Sequence, residues 1–81
     1  MKALIQVTLK PDVLDPQGKA IRSACGQLGY QAVESVRQGK IFEIELSAGS
    51  EPEARRLLEE LAGKLLANPV IEDYAILKIE P

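Results

Sequence analysis

Cys25 is the single thiol of an 81-residue chain that has no histidine to pair with it. A cysteine nucleophile needs a base, or a positive neighbour, to hold it as thiolate. Cys25 instead falls on the apolar side of a helical pattern, where a cysteine behaves as a small hydrophobe. One cysteine also excludes an intrachain disulfide. Metal binding would rest on carboxylates alone, and neither Glu72-Asp73 nor the pair Asp12 and Asp15 has the spacing of a calcium loop. These read as solvated charges. Gly39-Lys40 lacks both the earlier glycine and the following Ser/Thr of a phosphate-cradling loop. Arg37 and Lys40 flank the same short connection and could reach an anion there, although basic residues at turns are commonly just wet. No catalytic residue, metal ligand or cofactor is expected.

A small domain without catalytic groups works through its surface. The net charge of −2, from twelve acids against ten bases, offers no excess to neutralise a phosphate backbone. RNA readers with an open sheet stack bases on aromatics. Here Tyr30, Phe42 and Tyr74 are the only aromatics, and Phe42 shares its face with Ile44 and Leu46, which reads as core. Nucleic acid is not expected as a partner. No apolar run approaches the ~20 residues of a membrane span. Met1-Lys2 leads into a strand-like alternation rather than a signal peptide. A cytoplasmic protein with no membrane contact is expected, folded as one domain over residues 1–81.

The elements that would position these residues are legible. Residues 2–10 alternate, with Ala3, Ile5, Val7 and Leu9 on one side and Leu4, Gln6 and Thr8 on the other, as in a half-buried strand. Asp15-Pro16 opens a helix: Asp15 can cap it, and proline fits its first position. Ala20, Ile21, Ala24, Cys25 and Leu28 follow at helical spacing, and Gly29 is a plausible stop. Residues 33–37 read as a short strand, Gln38-Gly39-Lys40 as a tight connection, and residues 41–47 as the next strand, together a hairpin. Ser50 with Glu53 forms a capping box ahead of a stripe of Ala54, Leu57, Leu58, Leu61 and Leu65. Glu51 with Arg55 and Glu60 with Lys64 are favourable pairs on its wet side. Asn68-Pro69 ends that helix, asparagine tolerating a left-handed cap, and residues 70–79 form the last strand.

Two halves of similar length, 1–38 and 39–81, thus repeat strand–helix–strand. The fold class is α+β: a ferredoxin-like βαββαβ sandwich, with a four-stranded antiparallel sheet and both helices on one face. The other face must be wet or covered by a partner. In the last strand Tyr74 and Ile76 point one way and Ala75, Leu77 and Ile79 the other, while Leu4 and Ile41 fall on outer faces. So many apolar side chains on an open face predict self-association through that face or a sheet edge.

Three strings carry a family resemblance when taken in order. They are Val-Leu-Asp-Pro-Gln-Gly-Lys-Ala at 13–20, Val-Glu-Ser-Val-Arg-Gln-Gly-Lys at 33–40, and Leu-Leu-Ala-Asn-Pro-Val-Ile-Glu-Asp-Tyr at 65–74. The chain resembles the PurS family, small subunits of phosphoribosylformylglycinamidine synthase, over essentially its whole length. The resemblance implies a part in de novo purine biosynthesis, where formylglycinamide ribonucleotide, glutamine and ATP give formylglycinamidine ribonucleotide. It implies a large synthetase subunit and a glutaminase subunit as partners, and a homodimer or tetramer. The role would be to hold the other two subunits together and aid ammonia transfer, with no catalysis by this chain. On the matching positions it offers Asp15, Gln17, Gly18, Arg37, Gly39, Lys40 and Asp73 as partner-contact candidates. Asn68 also matches, but Asp15 and Asn68 have sufficient work as caps. Arg37 and Lys40 have no evident structural work and are favoured as functional.

Two rivals share the topology. A ligand-binding regulatory module of the ACT type would take an amino acid at a dimer interface. An acylphosphatase-like enzyme would need an arginine after the first strand, where this chain has Pro11-Asp12-Val13.

Overall fold

A computed structural model describes residues 1–81 as β1 (Lys2–Leu9), α1 (Pro16–Gln27), β2 (Gly39–Glu45), α2 (Glu51–Leu61) with a π-helical extension (Ala62–Leu66), and β3 (Glu72–Glu80). The sheet has three antiparallel strands in the order β2-β1-β3, not the four expected. β2 and β3 are therefore parallel to each other and flank β1, as in the second half of a ferredoxin-like unit. The missing strand is residues 33–37, which run without a ladder partner. Their hairpin does not form because the chain passes straight through Gln38-Gly39 instead of turning. Gly29, with φ of 93°, is the one residue in the left-handed region that two-residue hairpin turns require.

β1 supplies the centre of the core. Ala3, Ile5 and Val7 are buried, with Leu58 of α2 and Ala62 and Ala67 at and after its extension packed against them. Phe42, Ile44 and Leu46 from the β2 side, and Tyr74, Ile76 and Ile79 from β3, pack around this centre. Simple alternation puts Ile79 on the side of Leu77, opposite Tyr74 and Ile76. A β-bulge corrects it: the register steps from Ile5↔Ile76 to Leu4↔Lys78, skipping Leu77 and reversing the parity of the last residues. The Tyr74 hydroxyl donates to Glu59 Oε2 at 2.6 Å, pinning β3 to α2. That carboxylate acceptor is the first cause of a raised Tyr74 pKa.

The caps hold with one change of partner. Asp15 and Ser50 both accept from helix N–H groups, but Glu53 reaches back to the Gly49 N–H rather than to Ser50. Asn68 is not left-handed; its Oδ1 accepts from Val70 N–H after the helix has widened, with Ala67 N–H bonded to Ala62 C=O.

The larger correction concerns α1, which does not lie on the sheet beside α2. Its apolar residues Ile21, Leu28 and Ala24 are exposed, and Cys25 is half-buried. The molecule is 51 Å long with a radius of gyration of 16.1 Å, against about 12 Å for a compact chain of this length. A nine-residue strand spans only about 30 Å. The ~18 Å of α1, extended beyond the end of the sheet, accounts for the remainder. Residues 28–38 return along it, held by Arg22 Nε donating to Glu34 C=O at 3.2 Å and Gln31 Nε2 to Gly26 C=O at 2.9 Å. Helix and return segment form an arm.

Candidate functional site

The base of that arm gathers most of the residues that the sequence singles out. Asp15 caps α1 because proline at the next position needs no N–H partner and leaves the first turn free to bond its side chain. Asp15 Oδ1 accepts from Gly18 N–H at 2.9 Å, and Oδ2 accepts from Gln38 N–H at 2.6 Å. One carboxylate thus ties the outgoing helix to the returning chain, and at 6% exposure it is the buried charged residue of the fold. The Gln38 N–H is the main cause of its lowered pKa, followed by the Gly18 N–H; the Arg37 charge adds to both against the opposing effect of burial.

Gly18 is buried under the clamp. A methyl group there would collide with the Val36 carbonyl oxygen and sit 2.8 Å from Asp15 Oδ2. Arg37 Nη2 donates to Lys10 C=O at 2.9 Å, so the guanidinium bridges the two chain segments that enter and leave the arm. The view that Arg37 lacks structural work is thereby corrected. Gly39 faces Thr8 across the β1–β2 ladder, where a Cβ would meet Thr8 Cγ2 at 2.7 Å and Val7 C=O at 2.8 Å. Lys40 Nζ lies 3.8 Å from Glu72 Oε2, while Glu72 Oε1 accepts from Asn68 N–H at 2.7 Å.

A shallow cleft of about 310 Å³ opens here, lined by Asp15, Gln17, Gly39 and Lys40 together with Gln38 and Glu72. Asp73 is not part of it. It pairs with Lys10 Nζ at 2.8 Å and faces a separate depression that includes Gly63 and Tyr74. Sequence reasoning missed Gln38 and Glu72. Gln38 acts through its backbone N–H, which leaves no trace in side-chain type. Glu72 looked like a solvated charge beside Asp73 and is mostly covered.

The arrangement is a lock on backbone geometry with an acid-sensitive bolt. A carboxyl group whose folded pKa lies below its unfolded value stabilises the fold above the unfolded value, and that stability disappears as pH falls through the folded value. Asp15→Asn keeps a cap oxygen for Gly18 but loses the charged acceptor for Gln38. The variant should therefore melt below the wild type at pH 7. The gap between the two melting temperatures should narrow as pH falls below the ordinary aspartate range of about 4. Thermal unfolding followed by circular dichroism between pH 3 and 7 checks this; a gap that stays constant contradicts it.

Comparison with known proteins agrees with this architecture. The family model described as PurS, phosphoribosylformylglycinamidine (FGAM) synthase, matches residues 2–80. A phosphoribosylformylglycinamidine synthase subunit PurS from Synechocystis is 50% identical over 70 residues, covering 86% of this chain and 70% of that protein. The structure of Bacillus subtilis PurS superposes with a TM-score of 0.85 at 41% identity, covering 99% of this chain and 98% of that one. A chain of the PurLQS structure from Thermotoga maritima superposes with a TM-score of 0.88 at 28% identity, covering 96% and 95%. A family match that spans all but the two terminal residues, on a fold shared from end to end with solved members, places this chain in the PurS family.

Proposed function

We propose that this chain is the small, non-catalytic subunit of phosphoribosylformylglycinamidine synthase in purine biosynthesis, and that it joins the large synthetase subunit to the glutaminase subunit. The observation that carries the reading is its near end-to-end likeness to a chain of PurLQS, a structure named for three components. The polar groups at the arm base support a structural part: Asp15 and Arg37 are engaged with backbone, and Lys40 stands near Glu72. The half-buried Cys25 has no histidine anywhere in the chain to act as its base.

The physical need for such a subunit lies in ammonia. Released into neutral water it is mostly protonated and loses its nucleophilic lone pair. Two active sites held together can pass it across before that happens. A joining subunit contributes shape and adhesive surface, and self-association as a dimer or tetramer extends that surface. The outer sheet face, where Leu4 is half-buried and Ile41 and Leu77 are about half exposed, suits contact with another protein. No helix is long and apolar enough to cross a membrane, which accords with a cytoplasmic place beside soluble partners.

Mixing the large and glutaminase subunits with and without this chain tests the reading. Glutamine-dependent synthesis of formylglycinamidine ribonucleotide should fall at least tenfold when the chain is omitted, and the chain alone should turn over nothing. Synthesis unchanged by its omission would sink the assignment.

A further inference from the structure

The helix α2 ends by widening, and its own residues give no reason for it. Ala67 N–H donates to Ala62 C=O at 2.9 Å, where an α-helix would bond Leu66 N–H to that carbonyl. The last turn thus holds one residue more, with Ala67 in the core and Leu65 turned outward. Yet residues 62–66 are alanine, glycine, lysine and two leucines, and all but the glycine are among the best α-helix formers. Gly63 has open space where a Cβ would stand, so no close approach demands it. Pro69 stops the helix without widening it. The wide turn is therefore held from outside.

Glu72 supplies the hold. Its Oε1 accepts from Asn68 N–H at 2.7 Å, and its own N–H donates to Asn68 C=O at 2.7 Å. This reciprocal pair closes residues 68–72 into a loop and takes Asn68 N–H away from Lys64 C=O, its acceptor in an α-helical continuation. Two contacts then tie the loop to the base of the arm. Lys10 is one: its N–H donates to Ile71 C=O at 2.8 Å, while its C=O accepts from Arg37 Nη2 at 2.9 Å. Lys40 is the other, with Nζ at 3.8 Å from Glu72 Oε2, the oxygen that Asn68 does not use. The Glu72 side chain is only 14% exposed, and a carboxylate so covered needs a counter-charge. Glu72 also lines both the cleft at the arm base and the depression beside Gly63.

We infer that Glu72 is a latch through which the arm base controls the end of α2. With Lys40 beside it, the carboxylate stays aimed at Asn68 N–H and the last turn stays wide. When a movement of the arm draws Lys40 away, the carboxylate turns to water and frees Asn68 N–H. The turn then reverts to α-helical bonding, Leu66 N–H to Ala62 C=O, which re-aims Leu65 and Leu66 at the surface. This goes beyond the joining role: it makes an event at the arm felt at the opposite end of α2.

Amide hydrogen exchange of the full-length chain, followed residue by residue by NMR, tests the latch. Lys40→Met removes the charge and keeps the stem. Exchange at Ala67 and Asn68 should quicken about two- to fivefold, the range an exposed ion pair supports, while Ile5 and Val7 in β1 keep their rates. Lys40→Arg should return the rates to those of the wild type. Glu72→Gln keeps an acceptor for Asn68 without the charge, so Lys40→Met should add nothing in that background. Glu72→Ala removes the hold entirely, and the scalar coupling across the hydrogen bond to Ala62 C=O should pass from Ala67 N–H to Leu66 N–H. Unchanged rates at Ala67 and Asn68 in Lys40→Met would overturn the latch, as would equal quickening in the Glu72→Gln background. Quickening shared equally by Ile5 and Val7 would overturn it too, since the whole fold would then have weakened. A folded Glu72→Ala chain that keeps its coupling to Ala67 refutes the hold; if that variant fails to fold, the exposed Lys40 variants decide alone. The subunit role stands whichever way these rates fall.

Discussion

Leu58→Ala should strip this protein of a large share of its stability. Leu58 is fully buried, and only Ile5 and Val7 join it as large side chains with no exposed surface. Truncating a buried leucine costs about 2–5 kcal/mol, through lost transfer free energy and the cavity left behind. A chain of 81 residues holds roughly 4–12 kcal/mol in total. At about 4–8 °C per kcal/mol for a small domain, the melting temperature should drop by at least ~8 °C. Leu57→Ala is the control, because Leu57 is about half exposed and should cost under ~1 kcal/mol within one chain. Both melts belong at one fixed protein concentration, since association adds stability by mass action. Equal losses at 57 and 58 in dilute protein would contradict the core as described.

Those neighbouring leucines show how far the sequence could be read. The stripe of Ala54, Leu57, Leu58, Leu61 and Leu65 announced an amphipathic helix, and α2 is there. Spacing alone could not say that only part of the stripe meets the sheet of its own chain. Ala54, Leu58 and Ala62 face the sheet of the same chain, while Leu57 and Leu65 face solvent in the single copy. Hydrophobic periodicity reports that a face will be covered and is silent about which molecule covers it. The same silence explains the missing strand. Residues 33–37 have a strand-like pattern, yet a strand exists only where an edge accepts it, and the edge of β2 is left open within one chain.

The site divides along similar lines. Capping by Asp15 was legible because it depends on residues adjacent in sequence. Its second bond, to Gln38 N–H, spans 23 positions and rests on a backbone group common to almost every residue type. Arg37 was read as free for a ligand because its acceptors, the carbonyls near the end of β1, carry no sequence signature either. A basic residue beside a turn is thus ambiguous until the neighbouring carbonyls are located. Ile79 failed for a different reason: one bulge residue reverses every later side chain of a strand, and nothing in Ala75-Ile76-Leu77-Lys78 announces it.

Gly18→Ala should destabilise, and Gly26→Ala should stabilise, although both place the same methyl group in the same helix. Alanine in a helix interior is favoured over glycine by roughly 0.5–1 kcal/mol, chiefly through the unfolded state. At Gly26 nothing opposes that gain: the nearest atom to a new Cβ is Arg22 Nη1 at 3.4 Å, the movable end of a long side chain. At Gly18 the obstacle is the backbone carbonyl of Val36, with the Asp15 carboxylate 2.8 Å away on another side. Neither can retreat without loosening the bond from Gln38 N–H, so the return segment must lift away from the helix. Overpacking of this kind costs about 1–3 kcal/mol and outweighs the helix-propensity gain. The melting temperature should fall for Gly18→Ala, by about 4–8 °C per net kcal/mol, and rise by a few degrees for Gly26→Ala. Limited trypsin digestion reads the local consequence, since Arg37 gives up its carbonyl partners at Lys10 and Leu9 when the segment lifts. Cleavage after Arg37 should accelerate in Gly18→Ala well beyond cleavage after Arg55 on α2, which the change does not touch. Two alanine variants with the same melting temperature and the same digestion pattern would show that the arm is not clamped at Gly18.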